Sequence, residues 1–174
     1  MTDVGARSSP REVVAYLLRL RPVLANAVQV RRGFIEQVGV LIEQLRQGDP
    51  ISIARQAGRL GNETSPMFRE ARHQIDALDP PPLCEACNRA ISDWLEVHLS
   101  ACALLGQIGS QHDAKRLRVV QEHLAEGRTH ATRFNEEYTH IKTDLREQVD
   151  RVLGRRRRGG GPSGFLRRLF GAKN

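Results

Sequence analysis

From residue 117 to residue 152, side chains of one character recur at alternating spacings of three and four without a break. Leu117, Val120, Leu124, Gly127, Ala131, Phe134, Tyr138, Ile141, Leu145, Gln148 and Val152 make up this series. Such a pattern keeps one stripe of a helix facing a neighbour over some ten turns, and nothing with the two-residue period of a strand can produce it. The same rule runs through Cys84, Cys87, Ile91, Trp94, His98, Ala101, Leu105 and Ile108, and more weakly through Ala54, Ala57, Gly61, Thr64, Phe68, Ala71, Ile75 and Leu78. A first segment reads Val13, Leu17, Leu20, Leu24, Ala27, Phe34, Val38, Leu41 and Leu45, with an ambiguous position at Arg31. The chain is therefore expected to be all-α.

Breaks at Gly48-Asp49-Pro50, at Asp79-Pro80-Pro81-Pro82 and between Gly109 and Asp113 divide it into four helices. Connections this short make successive helices antiparallel, which predicts an up-down-up-down four-helix bundle over residues 11–153, after a disordered N-terminus at 1–10. The first and fourth helices are the longest and should overhang the middle pair by roughly 15 Å. Pro22 falls near the level where the four-helix layer ends, so a kink is expected there. Val13, Leu17, Ile141 and Leu145 lie on the overhang, where two helices alone would leave them open. The expected remedy is a homodimer with these residues as its contact.

Charge is distributed unevenly. Of 27 Lys and Arg, eight lie in residues 151–174 with no Asp or Glu, which leaves nineteen basic against twenty acidic side chains in residues 1–150. The net charge of +7 therefore belongs to a tail. Arg155, Arg156, Arg157 and Arg158 form an unbroken run, and Gly159-Gly160-Gly161-Pro162 complete a flexible linker over 154–163. In residues 164–171, Phe165, Leu166, Leu169 and Phe170 fall within about 140° on a helical wheel, with Arg167 and Arg168 opposite. A short amphipathic helix of this kind suits the boundary between acyl chains and anionic headgroups.

Phe165-Leu166-Arg167-Arg168-Leu169-Phe170-Gly171, behind its basic Gly-containing spacer, resembles the C-terminal membrane-targeting sequence of the bacterial division-site ATPases of the MinD family. The resemblance covers about the last ten residues. It implies reversible membrane attachment and nothing about nucleotides, since the chain has no Gly-x-x-x-x-Gly-Lys-Ser/Thr loop. Burying four large apolar side chains is worth roughly 6–12 kcal/mol gross, and ordering eight residues cancels most of it at about 1–2 kcal/mol each. Attraction of the arginine run to an anionic leaflet, about 1 kcal/mol per residue, makes the anchor usable and salt-sensitive.

No run of eighteen apolar residues and no basic-then-apolar leader occurs in the sequence, and three cysteines make an odd number. A cytoplasmic protein, peripheral on the inner face of the cell membrane, is the expectation. Nucleic acid fits less well: aromatic residues are 5% of the chain and the body has no basic stripe.

Chemistry in the body is thin. Cys84-x-x-Cys87 is half a zinc signature, but Cys87 and His98 are about 16 Å apart along a helix, too far to share an ion. Glu70/His73 and Glu137/His140 have di-iron spacing, yet lie at different levels of the bundle. His98 occupies a seam position and counting places it opposite His123, with Glu122 or Glu126 to bond it. His98, His123 and Glu122 are accordingly the alternative ligand set, for a metal- or cofactor-binding bundle. Trp94 is expected over Gly127 and Ala131. The main expectation has no cofactor and no catalytic residue: an interaction or scaffold protein with an unidentified protein partner.

Overall fold

The computed structural model describes residues 8–157, with side chains as far as Arg151. Among these the chain is all-helical, with no strand: α1 Pro10–Gln44, α2 Pro50–Asp76, α3 Glu85–Gln111 and α4 Leu117–Arg157. Single 3₁₀ turns, Pro82–Cys84 and Ala114–Arg116, lead into α3 and α4.

Local chemistry accounts for the ends. Ser9 closes a capping box at the head of α1: its Oγ accepts from the Glu12 amide at 3.2 Å, while the Glu12 carboxylate accepts from the Ser9 amide at 2.9 Å. Asp49 caps α2 by accepting from the amides of Ile51 and Ser52, and Pro10 and Pro50 fill first helical positions whose N–H would have no partner anyway. Ser8 and Ser9 thus belong to the folded part, although the sequence suggests disorder to residue 10. α3 continues through Gly109 and ends at His112, which takes the left-handed conformation with φ 57°. Pro22 and Pro66 sit inside continuous helices on exposed faces. The end of α4 also departs from expectation, since its backbone runs on through 154–157, residues assigned to the linker.

Gly109 has a packing role. A Cβ on Gly109 would stand 2.5 Å from the Gly58 Cα, one on Gly58 2.7 Å from the Gly109 Cα, and one on Gly61 2.5 Å from the Cys102 carbonyl oxygen. Only glycine lets the backbones of α2 and α3 touch in this way, and this is the most closely packed helix pair. Further along, Arg72 on α2 bonds Asp76 on its own helix at 3.0 Å, and Glu96 at 3.1 Å and the Ser92 carbonyl at 3.3 Å on α3. Phe34 of α1 meets Phe68 of α2 edge to face at 5.7 Å. Gly127 of α4 lies against His98 and Val97 of α3, and His130 of α4 lies 4.0 Å from Asp93 of α3.

The overhang is already covered within one chain. Val13, Ile141 and Leu145 are buried and Leu17 is half-buried, contrary to the expectation of open dimer contacts. The reason lies in the Pro-rich connection. It does not turn back at the end of α2; it carries the 3₁₀ turn and the start of α3 further along α1, where the Leu83 amide donates to Ser8 Oγ at 3.0 Å and Tyr16 Oη donates to Asn88 at 2.8 Å. The 3₁₀ turn also touches α4. With Cys84 and Cys87 buried there, a third element closes the layer that the sequence assigns to two.

Candidate functional site

The seams of α1 and α4 both weaken at one level. Between Gly127 and Ile141, α4 buries no side chain fully: Ala131 and Phe134 are half-buried and Tyr138 is exposed, stacked on Phe134 at 5.8 Å. On α1, Arg31 interrupts the apolar series. Two helices that meet with too little apolar volume leave space between them, and α1 and α4 are the loosest of the sequential and closing helix pairs. The space is a half-open cavity of about 300 Å³ bounded by α1, α3 and α4. Leu24 and Val28 line it from α1, Ile91 from α3 and Phe134 from α4, an apolar wall on three sides. Arg31, Arg128, Thr132 and Asn135 are its polar lining residues, and the Trp94 ring lies beside them.

Three polar side-chain atoms in this neighbourhood are buried without a hydrogen-bond partner: Arg31 Nε, Trp94 Nε1 and His98 Nε2. Such atoms are uncommon in folded proteins, because each forfeits its bonds to water for nothing. Neither Arg31 nor Arg128 pairs with a carboxylate among the described residues. Burial, and next the neighbouring charge of Arg128, lower the pKa of Arg31.

His98 sits behind Trp94, fully buried, with its ring 4.6 Å from that of Trp94 and 5.1 Å from that of Phe68. Its Nδ1 lies 2.7 Å from the Trp94 carbonyl. A carbonyl only accepts, so Nδ1 carries the proton and donates, leaving Nε2 a bare acceptor. Burial pushes the imidazole down to about 4; the bond to Trp94 opposes this and the charge of Arg31 adds to it. His98 is therefore neutral at pH 7.

The alternative ligand set is not brought together. His123 is partly exposed beside Glu126 at 3.8 Å, and Glu122 lines a separate groove with Arg118 and Ile42. The bond expected between His98 and Glu122 or Glu126 goes instead to the backbone of its own helix. It is also His98, not Trp94, that lies over Gly127; Trp94 shares the cavity with Ala131. Among the described residues no group of three His, Cys, Asp or Glu could hold a metal. The thiols of Cys84, Cys87 and Cys102 are buried, and burial pushes them up to about 11, 12 and 12.

Of the membrane-binding residues, Arg155, Arg156 and Arg157 continue the backbone of α4. Arg158, Phe165, Leu166, Arg167, Arg168, Leu169 and Phe170 lie outside the described residues. α1 has a window of mean hydropathy 1.3, long and apolar enough by length and composition to cross a membrane, although Arg19 and Arg21 stand within 13–30. One stripe of α1, made of Val13, Tyr16, Leu20, Ala27, Phe34, Val38 and Leu41, is buried in the bundle, and 22% of that window is buried.

Sequence reasoning passes over the cavity's polar residues. The one signal for them is the charged Arg31 at a seam position, since Arg128, Thr132 and Asn135 follow the ordinary polar face of α4. Comparison with protein-family models, with curated proteins and with solved structures finds no match to this chain.

Proposed function

We propose that this protein is a non-enzymatic helical interaction or scaffold protein that attaches peripherally to an anionic membrane surface, on the cytoplasmic face, through residues 155–170. The observation that carries the reading is the segregation of charge: a body near neutrality and a terminal segment with eight basic and no acidic residues, ending in Phe165, Leu166, Leu169 and Phe170 at helical spacing. The continuous backbone of α4 through Arg157 supports it, because it would present the first arginines at the end of a 41-residue helix rather than along a loose strand of chain.

The body on which the tail is mounted is, in this reading, an antiparallel up-down-up-down bundle. Its support is the falling register of the pairs: Gly58 with Gly109 and Arg72 with Glu96 between α2 and α3, and His98 with Gly127 and Asp93 with His130 between α3 and α4. Docking of a protein partner would then be brought to the membrane by the tail.

Co-sedimentation with phosphatidylglycerol-containing vesicles tests the attachment. Replacing Phe165 and Phe170 by Ala should abolish binding at physiological salt, whereas Gln at positions 155–158 should weaken it and flatten its salt dependence. Full-length protein that stays in the supernatant, or that prefers DNA to these vesicles at equal salt, would disprove the reading.

A further inference from the structure

We infer that the cavity between α1, α3 and α4 binds a small amphipathic anion, an apolar or aromatic body carrying a carboxylate or phosphate head. The inference does not rest on the membrane reading, since all the residues it uses lie between 24 and 135.

The polar groups define the head. Arg31 and Arg128 bring two guanidinium groups to one cavity with no carboxylate paired to either among the described residues. Bringing like charges together without a counterion is unfavourable, and an anion between them turns the repulsion into two charge-assisted hydrogen bonds. Both guanidinium groups offer N–H donors; Arg31 Nε and Trp94 Nε1, which also lack an acceptor, are buried behind the cavity wall. An oxygen carrying negative charge satisfies donors of this kind; a cation or an aliphatic group does not. His98 Nε2, being an acceptor, does not contribute to an anion site.

The walls define the body. Leu24, Val28, Ile91 and Phe134 give the cavity an apolar lining, and its volume of about 300 Å³ stands at the lower end of small-molecule pockets. A free inorganic anion would leave that lining wet, while an uncharged chain would leave the donors unsatisfied. Both halves are needed. The chain's own tail is a poor occupant, because its basic residues would face Arg31 and Arg128.

The protein carries its own reporter, since Trp94 is its only tryptophan. Full-length protein is titrated with decanoate, decyl phosphate, decanol and inorganic phosphate, below the micelle concentration of each amphiphile, while Trp94 emission is recorded. A saturable change is expected with decanoate or decyl phosphate, with decanol and inorganic phosphate at least about tenfold weaker. Whichever anion binds more tightly identifies the head as carboxylate or phosphate. Arg31→Gln and Arg128→Gln should each weaken anion binding about tenfold and leave decanol unchanged. Arg128 is exposed, so its variant tests the site even if the Arg31 variant melts early. Ala131→Leu, which fills the cavity, should abolish the response with helicity retained. The proposal is overturned if neither anion gives a saturable change, if decanol binds as tightly as decanoate, if inorganic phosphate matches decyl phosphate, or if Arg128→Gln leaves anion affinity intact.

Discussion

His98 shows how a polar residue survives on an apolar seam. Its one donor is used by the Trp94 carbonyl, Gly127 leaves space for its ring, and Phe68 and Trp94 cover the rest. The unfolded chain takes up a proton here below about 6.5, the folded chain only below about 4. This contribution to stability is therefore whole above pH 6.5 and is lost as pH falls toward 4, on the order of 3 kcal/mol in all. Urea titrations at pH 7 and pH 5 should show the loss in the native sequence and little of it in His98→Leu; equal losses in both would remove His98 as the cause. Glycines make a second residue-scale test. Gly58→Ala and Gly109→Ala drive a methyl into the facing backbone and should cost about 1–3 kcal/mol or more. Gly33→Ala and Gly39→Ala meet nothing within 4 Å and should stabilise α1 by about 0.5–1 kcal/mol. Thermal melts separate the two pairs by sign.

At the scale of elements, the Pro-rich connection decides what α1 and α4 do with their long ends. By carrying Cys84 and Cys87 up beside Tyr16, it makes Ile141 and Leu145 part of the interior of a single chain. Leu145→Glu should then lower the melting temperature at every protein concentration, by an amount corresponding to about 3 kcal/mol or more, because it buries a charge without a partner. A variant that kept its melting temperature and only shifted from dimer to monomer in sedimentation would mean that Leu145 faces a second copy after all. The same burial predicts that the three thiols react with a disulfide reagent only as fast as the protein opens, so rates should rise with urea and be negligible without it.

For the whole molecule, the body and the tail should separate cleanly. Truncation after Leu153 removes seven basic residues and no acidic ones, which takes the formal net charge from +7 to zero. The apolar series of the fourth helix stops at Val152 in the sequence, so circular dichroism should show the helical body intact and melting within about 2 °C of the full chain. Vesicle binding should be lost, while Trp94 should still respond to decanoate with the affinity of the full chain. A truncated chain that melts several degrees lower would show that the terminal segment docks on the bundle.

The amino-acid order alone determined that the chain is helical, how many helices there are and nearly where they break, because a 3.6-residue period, Ser9 and Asp49 as caps, and Pro10 and Pro50 as first residues are local properties. It also placed Gly61 and His98 on seams. Axial register is not local: it depends on how far an eight-residue connection climbs before α3 begins, and on glycine contacts between α2 and α3 that no single segment reveals. Only the tertiary structure could therefore decide that Val13, Ile141 and Leu145 are interior, that Gly109 packs rather than turns, and that His98 rather than Trp94 meets Gly127. The cavity belongs to the same class. Arg31 and Arg128 lie 97 positions apart in the chain and each is unremarkable on its own helix; the packing of α1 against α4 is what sets them on one space with Trp94.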